Sequence, residues 1–257
     1  MKILENKKYY EIKDNWESYH IDAGLQQKID LIYSIIPESV VNILDVGCGN
    51  GLITNHLGKK YSICGLDRSQ AALLFLAVPK VNASANHLPF KNDSFDLVFS
   101  SELLEHLDDS TLSASVEEVQ RVARSYLIIS VPNQEMLRKN SLKCPSCGLS
   151  FNVSYHLQTF SKARLMNLFS KFECLNIKEV GLKWRRYIPF LLTIRQKLGN
   201  GWFKIPPNRK VMCPRCENTK FAPFKLNPII LFCDGINKLL TRRHPYWLVA
   251  FYKKRDL

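Results

Sequence analysis

Two kinds of apolar pattern alternate along the chain. Leu25, Ile29, Ile32, Tyr33 and Ile36 recur at helical spacing and stop before Pro37, which predicts one amphipathic helix ahead of the first strand. An apolar run then reaches Asp45 and Val46, as a buried parallel strand does, and Leu52 to Lys59 returns to a helical pattern. The exchange repeats with a strand from Tyr61 to Leu66, a helix capped by Ser69 that carries Ala71, Ala72, Leu73, Leu74 and Leu76, and a short strand around Lys80 to Ala83. Farther on, Phe95 to Ser100 reads as a fourth strand, Leu112 to Val122 as a helix, and Tyr126 to Val131 as a fifth strand ended by Pro132. A helix from Lys162 to Phe169 precedes the sixth strand, Phe172 to Val180, and Tyr246 to Tyr252 reads as the seventh. Strands alternating with helices in this way predict an α/β protein with a mainly parallel sheet.

The junction after the first strand carries candidate chemistry. Gly47, Gly49 and Gly51 alternate with Cys48 and Asn50, and Asp45 stands two residues ahead. Glycines let such a turn take positive φ and let a ligand approach the main chain, while the next helix offers unpaired N–H groups. The dinucleotide fingerprint G-x-G-x-x-G does not fit, because its third glycine would fall on Leu52. The stretch resembles motif I, Asp-x-Gly-x-Gly-x-Gly, of the class I S-adenosylmethionine-dependent methyltransferases. Two further elements resemble that family in order and spacing: Asp67 at the end of the second strand, where an acid can accept both ribose hydroxyls, and the strand Phe95–Ser100 with the loop Ser101-Glu102-Leu103-Leu104-Glu105-His106-Leu107.

The resemblance covers roughly residues 25 to 133. It implies S-adenosylmethionine bound by Asp45, Gly47, Gly49, Gly51, Asp67, Ser84, Ala85 and Ser101. Ser84 is a departure, since it stands where the family commonly has an acid for the adenine amino group, and a hydroxyl accepts that bond more weakly than a carboxylate. The aromatic lead of Tyr9, Tyr10, Trp16, Tyr19 and His20 occupies a segment that in this family often closes over cofactor and substrate; from the residues alone, Tyr19 and His20 read as surface or packing groups. The loop after the fourth strand lies at the carboxyl edge of the sheet, where open α/β folds place ligands. His106 is therefore the candidate general base, with Glu105 behind it; the alternative is a helix start in which Glu105 favours the dipole and His106 packs. No Asn-Pro-Pro-Tyr-like sequence follows that strand, which tilts the reading toward an oxygen or carbon acceptor.

Eight cysteines change the picture. Cys144-Pro145-Ser146-Cys147 and Cys213-Pro214-Arg215-Cys216 are two C-x-x-C knuckles that together supply the four thiolates of a closed tetrahedral zinc site, with His156 as an alternative fourth ligand. Cys48, Cys64, Cys174 and Cys233 stand singly and read as buried small residues. The charged start Met1 to Lys8 has no apolar signal region after it and no apolar run is long enough to cross a bilayer, so the expected location is cytoplasmic.

Charge is uneven. Residues 1–182 hold 19 Lys+Arg against 20 Asp+Glu, and residues 183–257 hold 17 against 3, giving the net +13. The basic stretches Arg185 to Leu198 and Pro228 to Arg243 also carry apolar residues, so an anionic membrane surface is an expected partner, with core packing as the commoner explanation of those apolar positions. Nucleic acid is the less favoured anionic partner.

The expectation is an α/β protein with a seven-stranded, Rossmann-like, doubly wound sheet and an inserted zinc-ribbon-like subdomain. Residues 1–40 form a helical segment, 41–184 the core with the first knuckle, 185–245 a basic insertion with the second, and 246–257 the final strand. The implied function is methyl transfer from S-adenosylmethionine to a small-molecule or lipid- or sugar-linked acceptor, O- or C-methylation being favoured. The alternatives are an RNA methyltransferase and a binding protein that keeps the fold without catalysis.

Overall fold

The computed structural model describes residues 7–17, 19–206 and 209–255. The charged residues Met1 to Asn6 lie outside them. A lead of two short helices, α1 (Lys7–Tyr10) and α2 (Asp14–Glu17), precedes α3 (Ala23–Ile35), whose N-cap Asp22 accepts a hydrogen bond from the Leu25 amide. Then come β1 (Asn42–Val46), α4 (Leu52–Leu57), β2 (Ser62–Asp67), α5 (Gln70–Leu73) and β3 (Lys80–Asn82). Next in the chain are β4 (Phe95–Ser101), α6 (Asp109–Val122) and β5 (Ala123–Pro132). After the small hairpin of β6 (Ser141–Lys143) and β7 (Ser150–Asn152) follow α7 (Lys162–Met166), β8 (Phe172–Arg185), α8 (Pro189–Lys197), α9 (Pro228–Leu240) and β9 (Arg243–Lys254).

The seven main strands lie in the order β3-β2-β1-β4-β5-β9-β8. The first five are parallel, and β9 runs antiparallel between β5 and β8. This is the Rossmann-like, doubly wound sheet that the alternation of patterns predicts. Its two faces are covered separately. Leu44, Val46, Val98, Leu127 and Ile129 pack with Val116, Phe160 and Tyr252 on one side, and Ile43, Leu97, Phe99 and Ile128 pack with Ile32, Ile36 and Leu57 on the other. Strands buried on both faces read as continuous apolar runs, which is why β1, β4 and β5 were legible.

Chain order reverses between β1 and β4, and this switch point sets the site. From β1 the chain steps outward to β2 and β3, and then returns to place β4 on the other side of β1. The turns leaving β1 and β4 therefore diverge and open a crevice at the carboxyl ends of the strands. The insertions enlarge that edge: the β6–β7 hairpin and residues 209–217 lie over it, packed on their own small core of Leu142, Phe151, Val153 and Val211.

Candidate active site

The turn after β1 needs its glycines. Gly47 and Gly49 have φ of +77° and +53°, and a Cβ at Gly47 would fall 2.9 Å from the Leu103 side chain. The amides of Gly47 and Cys48 both donate to the Leu66 carbonyl at the end of β2. That pins the turn against Asp67, whose carboxylate accepts from the Gly49 amide at 2.9 Å and the Ser69 amide at 2.8 Å. Burial pushes the Asp67 carboxyl above its ordinary range, and the two backbone donors work against that shift.

Asp45 is fully buried at the end of β1. One oxygen accepts from the Thr54 hydroxyl at 2.6 Å, and the other, Oδ1, has no hydrogen-bond partner. Burial raises its pKa to about 7 despite the Thr54 bond. An orphaned buried carboxylate oxygen needs a donor, and a ligand cation such as an α-ammonium group supplies one. Asp67 keeps lone pairs for two hydroxyls. These features fit an aminoacyl nucleoside cofactor. Ser84 and Ala85 lie on the same wall, whereas the Ser101 hydroxyl already accepts a bond from Lys28 at 3.0 Å.

One cavity of about 1170 Å³ runs from this turn to the insertions. Trp16 of the lead crosses it, lying 3.0 Å from the position of a Gly49 Cβ, with its indole N–H donating to the Tyr10 carbonyl. Ser69 ties down that same carbonyl from below at 2.7 Å. Tyr19 and His20, expected at the surface, both line the cavity, Tyr19 remaining 58% exposed.

The loop after β4 brings His106 to the same cavity as Asp45, with Glu105 buried next to it. Glu105 is 1% exposed, and neither carboxylate oxygen is hydrogen-bonded to another residue. Burial, then the charge of Glu102, pushes its pKa well above the carboxylate range. Burial, with His156 and Arg68 next, holds His106 well below the usual imidazole range, so its ring is neutral at pH 7. The Tyr10 hydroxyl lies 3.1 Å from His106 Nδ1. The ring of His106 meets that of His156 edge-on with centroids 4.6 Å apart.

Several of these groups escaped the sequence reading. His156 does not join the cysteines as a fourth ligand; its Nδ1 is hydrogen-bonded to Glu135, and its ring faces His106 and Glu105 instead. Lys28 is buried, with its ammonium 3.8 Å from the centre of the Trp247 ring and 3.6 Å from Glu102. It does occupy a signal position, on the apolar stripe of α3 between Leu25 and Ile32.

The four knuckle cysteines come together across the two insertions. Cys144 and Cys216 sulfurs are 3.5 Å apart, Cys147 and Cys213 sulfurs 3.6 Å, and all four sulfurs fall within 4.8 Å of one another. Thiolates ~2.3 Å from one tetrahedral ion are ~3.8 Å apart, so this donor set fits zinc. Each knuckle closes with the residue after its second cysteine at positive φ, Gly148 at +71° and Glu217 at +60°, its amide donating to the first cysteine's carbonyl. Of the single cysteines only Cys233 is fully buried; Cys48, Cys64 and Cys174 are partly exposed, in part a departure from their expected burial.

Known proteins resemble this chain in the same region. Residues 44–129 match a family described as "Methyltransferase domain". An uncharacterized methyltransferase of Bacillus subtilis is 35% identical over 112 residues, 40% of this chain and 47% of its own length. The malonyl-[acyl-carrier protein] O-methyltransferase of Hahella chejuensis is 31% identical over 119 residues, 42% of each chain. The chain thus spans less than half the length of these curated relatives. Among solved structures, the 1,6-didemethyltoxoflavin-N1-methyltransferase of Burkholderia thailandensis, bound to S-adenosylhomocysteine, superposes with a TM-score of 0.57 at 14% identity, over 99% of this chain and 88% of that one. That likeness concerns the fold. Residues 44–129 are therefore similar to a methyltransferase domain, and the chain carries them in a Rossmann-like seven-stranded fold.

Proposed function

We propose that this chain is an S-adenosylmethionine-dependent methyltransferase that methylates an oxygen of a small or lipid- or sugar-linked acceptor. The observation that carries the reading is the pairing, in one cavity, of a positive-φ glycine turn held against Asp67 with an orphaned Asp45, and neutral His106, backed by the buried Glu105. The bound cofactor supplies a methyl carbon already joined to an excellent leaving group, so little covalent help is required. The protein's own work is alignment. Asp45 meets the cofactor's ammonium group, Asp67 its ribose hydroxyls, Gly47, Gly49 and Gly51 admit its close approach, and Ser84, Ala85 and Ser101 flank it. Across the cavity, Glu105 and His106 act on the acceptor's proton, which must leave as the oxygen–carbon bond forms and the carbon–sulfur bond breaks.

The related O-methyltransferase favours an oxygen acceptor. The cysteine cluster is assigned to one structural zinc held by Cys144, Cys147, Cys213 and Cys216, with no open position. It joins the insertion after β5 to residues 185–245, so the proposed division of the chain is 1–40, 41–184, 185–245 and 246–257. Incubating the protein with methyl-labelled cofactor and fractionated cell extract tests the activity: label passing to a small or lipid- or sugar-linked acceptor supports it, and label passing only to RNA, or to nothing, counts against it.

A second observation favours docking at an anionic membrane surface. Helices α8 and α9 pack together through Leu191, Leu192 and Cys233 and turn Phe190 (71% exposed), Phe232 (65%) and Leu239 (85%) to solvent, and the same helices and the residues after them carry exposed Lys197, Lys238 and Arg242. Apolar residues ringed by cations suit an acidic lipid interface. No helix among the described residues is long and apolar enough to cross a membrane. Co-sedimentation should rise with the anionic lipid content of vesicles and fall for Phe232→Ser; equal binding to neutral and acidic vesicles, or none to either, removes this reading.

A further inference from the structure

Next to His106 on the acceptor side of the cavity lies a buried acid that no neighbour satisfies. Glu105 has no hydrogen-bond partner for either oxygen, although burying a carboxylate without partners costs several kcal/mol. The nearby Lys28 does not meet that need, because its ammonium group is engaged by Ser101, Glu102 and the Trp247 ring. What Glu105 does face is a pair of imidazoles. One donor atom each from Glu105, His106 and His156 lies within 4.8 Å of the other two.

Both rings are held by outer contacts. His156 Nδ1 is bonded to Glu135, which is 4% exposed and also accepts from the amide groups of Asn140 and Asn152. A carboxylate at one ring nitrogen fixes the orientation of an imidazole and leaves the other nitrogen to a ligand, the arrangement that supports histidines ligating a metal. His106 has the Tyr10 hydroxyl at its Nδ1. The two loops are bound to each other as well, since the Glu105 carbonyl accepts from the amides of Leu157 and Gln158 at 2.7 and 3.0 Å. The turn entering this loop is strained in the same direction: Glu102 has φ of +58°, a conformation L side chains rarely take and one that concentrates at functional sites.

We propose that Glu105, His106 and His156 bind one divalent cation in the acceptor half of the cavity. Two imidazoles and one carboxylate suit first-row ions such as Mn²⁺, Fe²⁺, Co²⁺ or Zn²⁺, and three protein ligands leave coordination positions open. His106 and His156 line the cavity, with Glu105 buried next to them, so those positions are offered to the acceptor. The ligand class that fits is an oxygen acceptor, best one with two neighbouring oxygens that chelate the ion. Glu105 and His106 then act by holding the cation, which lowers the pKa of a bound hydroxyl so that its proton leaves to solvent before the oxygen takes the methyl group and the sulfur departs with the carbon–sulfur bond pair. The acceptor class rests on the methyltransferase reading; cation binding does not.

The probe is Mn²⁺, which oxygen and nitrogen ligands accept far better than the zinc-filled thiolate site does. Titration into the full chain, followed by the electron paramagnetic resonance signal of free Mn²⁺, should show saturable uptake of one ion per chain. Glu105→Gln should weaken it by at least about tenfold and Glu135→Gln by about 10–100-fold, while S-adenosylhomocysteine binding by calorimetry stays unchanged and certifies the fold. Absence of saturable Mn²⁺ binding in the wild type overturns the proposal, as does undiminished Mn²⁺ affinity in whichever of the two variants still binds S-adenosylhomocysteine. Wild type that binds Mn²⁺ but not S-adenosylhomocysteine supports the cation site and sinks the methyltransferase reading instead.

Discussion

The two halves of the cavity are built differently. On the proposed cofactor side, the main supports are backbone: the glycine turn hangs on the Leu66 carbonyl, and Asp67 is held by the amides of Gly49 and Ser69. On the proposed acceptor side, Tyr10, His106, His156, Arg209 and Trp247 arrive from separate parts of the chain and are brought together by β9, the lead and the cysteine unit. Contacts from the lead reach that unit directly, with Tyr9 packed on Tyr155 at 4.8 Å between ring centres and Lys210 bonded to Asp14 at 2.8 Å. The first half depends on the sheet, and the second on the insertions that the four cysteines bring together. Perturbations should therefore separate them.

The largest effect is expected from the cysteine unit. A structural zinc site contributes on the order of 10 kcal/mol to the segments it joins. Chelation or Cys213→Ser should raise hydrogen exchange across residues 141–155 and 209–217 and abolish acceptor turnover. Cofactor affinity should fall by less than about tenfold, because the exposed ion pairs linking the lead to this unit are worth little. Cofactor affinity lost before exchange rises would erase the distinction between the halves.

Next in size, His106→Ala should lower kcat by about 10²–10⁴ with cofactor affinity unchanged, as loss of a group acting on the acceptor's proton requires. Equal losses in kcat and cofactor binding would place His106 in the other half. Asp67→Ala should do the reverse, costing on the order of 2 to 4 kcal/mol of cofactor binding if two charge-assisted bonds go, and calorimetry measures this directly.

The smallest expected effect is a pH dependence. Burial raises the pKa of Asp45 to about 7, so below that pH it is protonated in the free protein, while a cationic ammonium group binds its ionised form. Affinity for the cofactor should thus be flat above pH 7 and fall as pH drops, by up to about tenfold per unit, with proton release on binding. Asp45→Asn should flatten the profile. An affinity that rises as pH falls would remove Asp45 from this role.

The same contrast explains what could be read from sequence. The glycine turn of the half proposed for the cofactor was legible because its demands are local: positive φ at Gly47 and Gly49 admits few residue types, and Asp67 ends the strand next to the turn. The acceptor half was legible only in part. His156 stands nine residues beyond Cys147 and so invited grouping with the thiolates, yet the bend after β7 turns it toward Glu135 and His106. Nothing in the pattern around Glu135 marks it as buried. The basic stretches carried both of their readings into the structure, since α8 and α9 bury one face against each other and expose another. Sequence periodicity identifies an apolar face without saying what covers it.

The most direct test of the two-part cavity is calorimetric titration of the wild-type protein with S-adenosylhomocysteine, before and after zinc is removed. One site per chain should appear in both preparations with affinities within about tenfold, as expected where the cofactor half stands on the sheet alone. Absence of binding to the zinc-replete protein would contradict the methyltransferase assignment, and binding that vanishes with zinc would contradict the independence of the two halves.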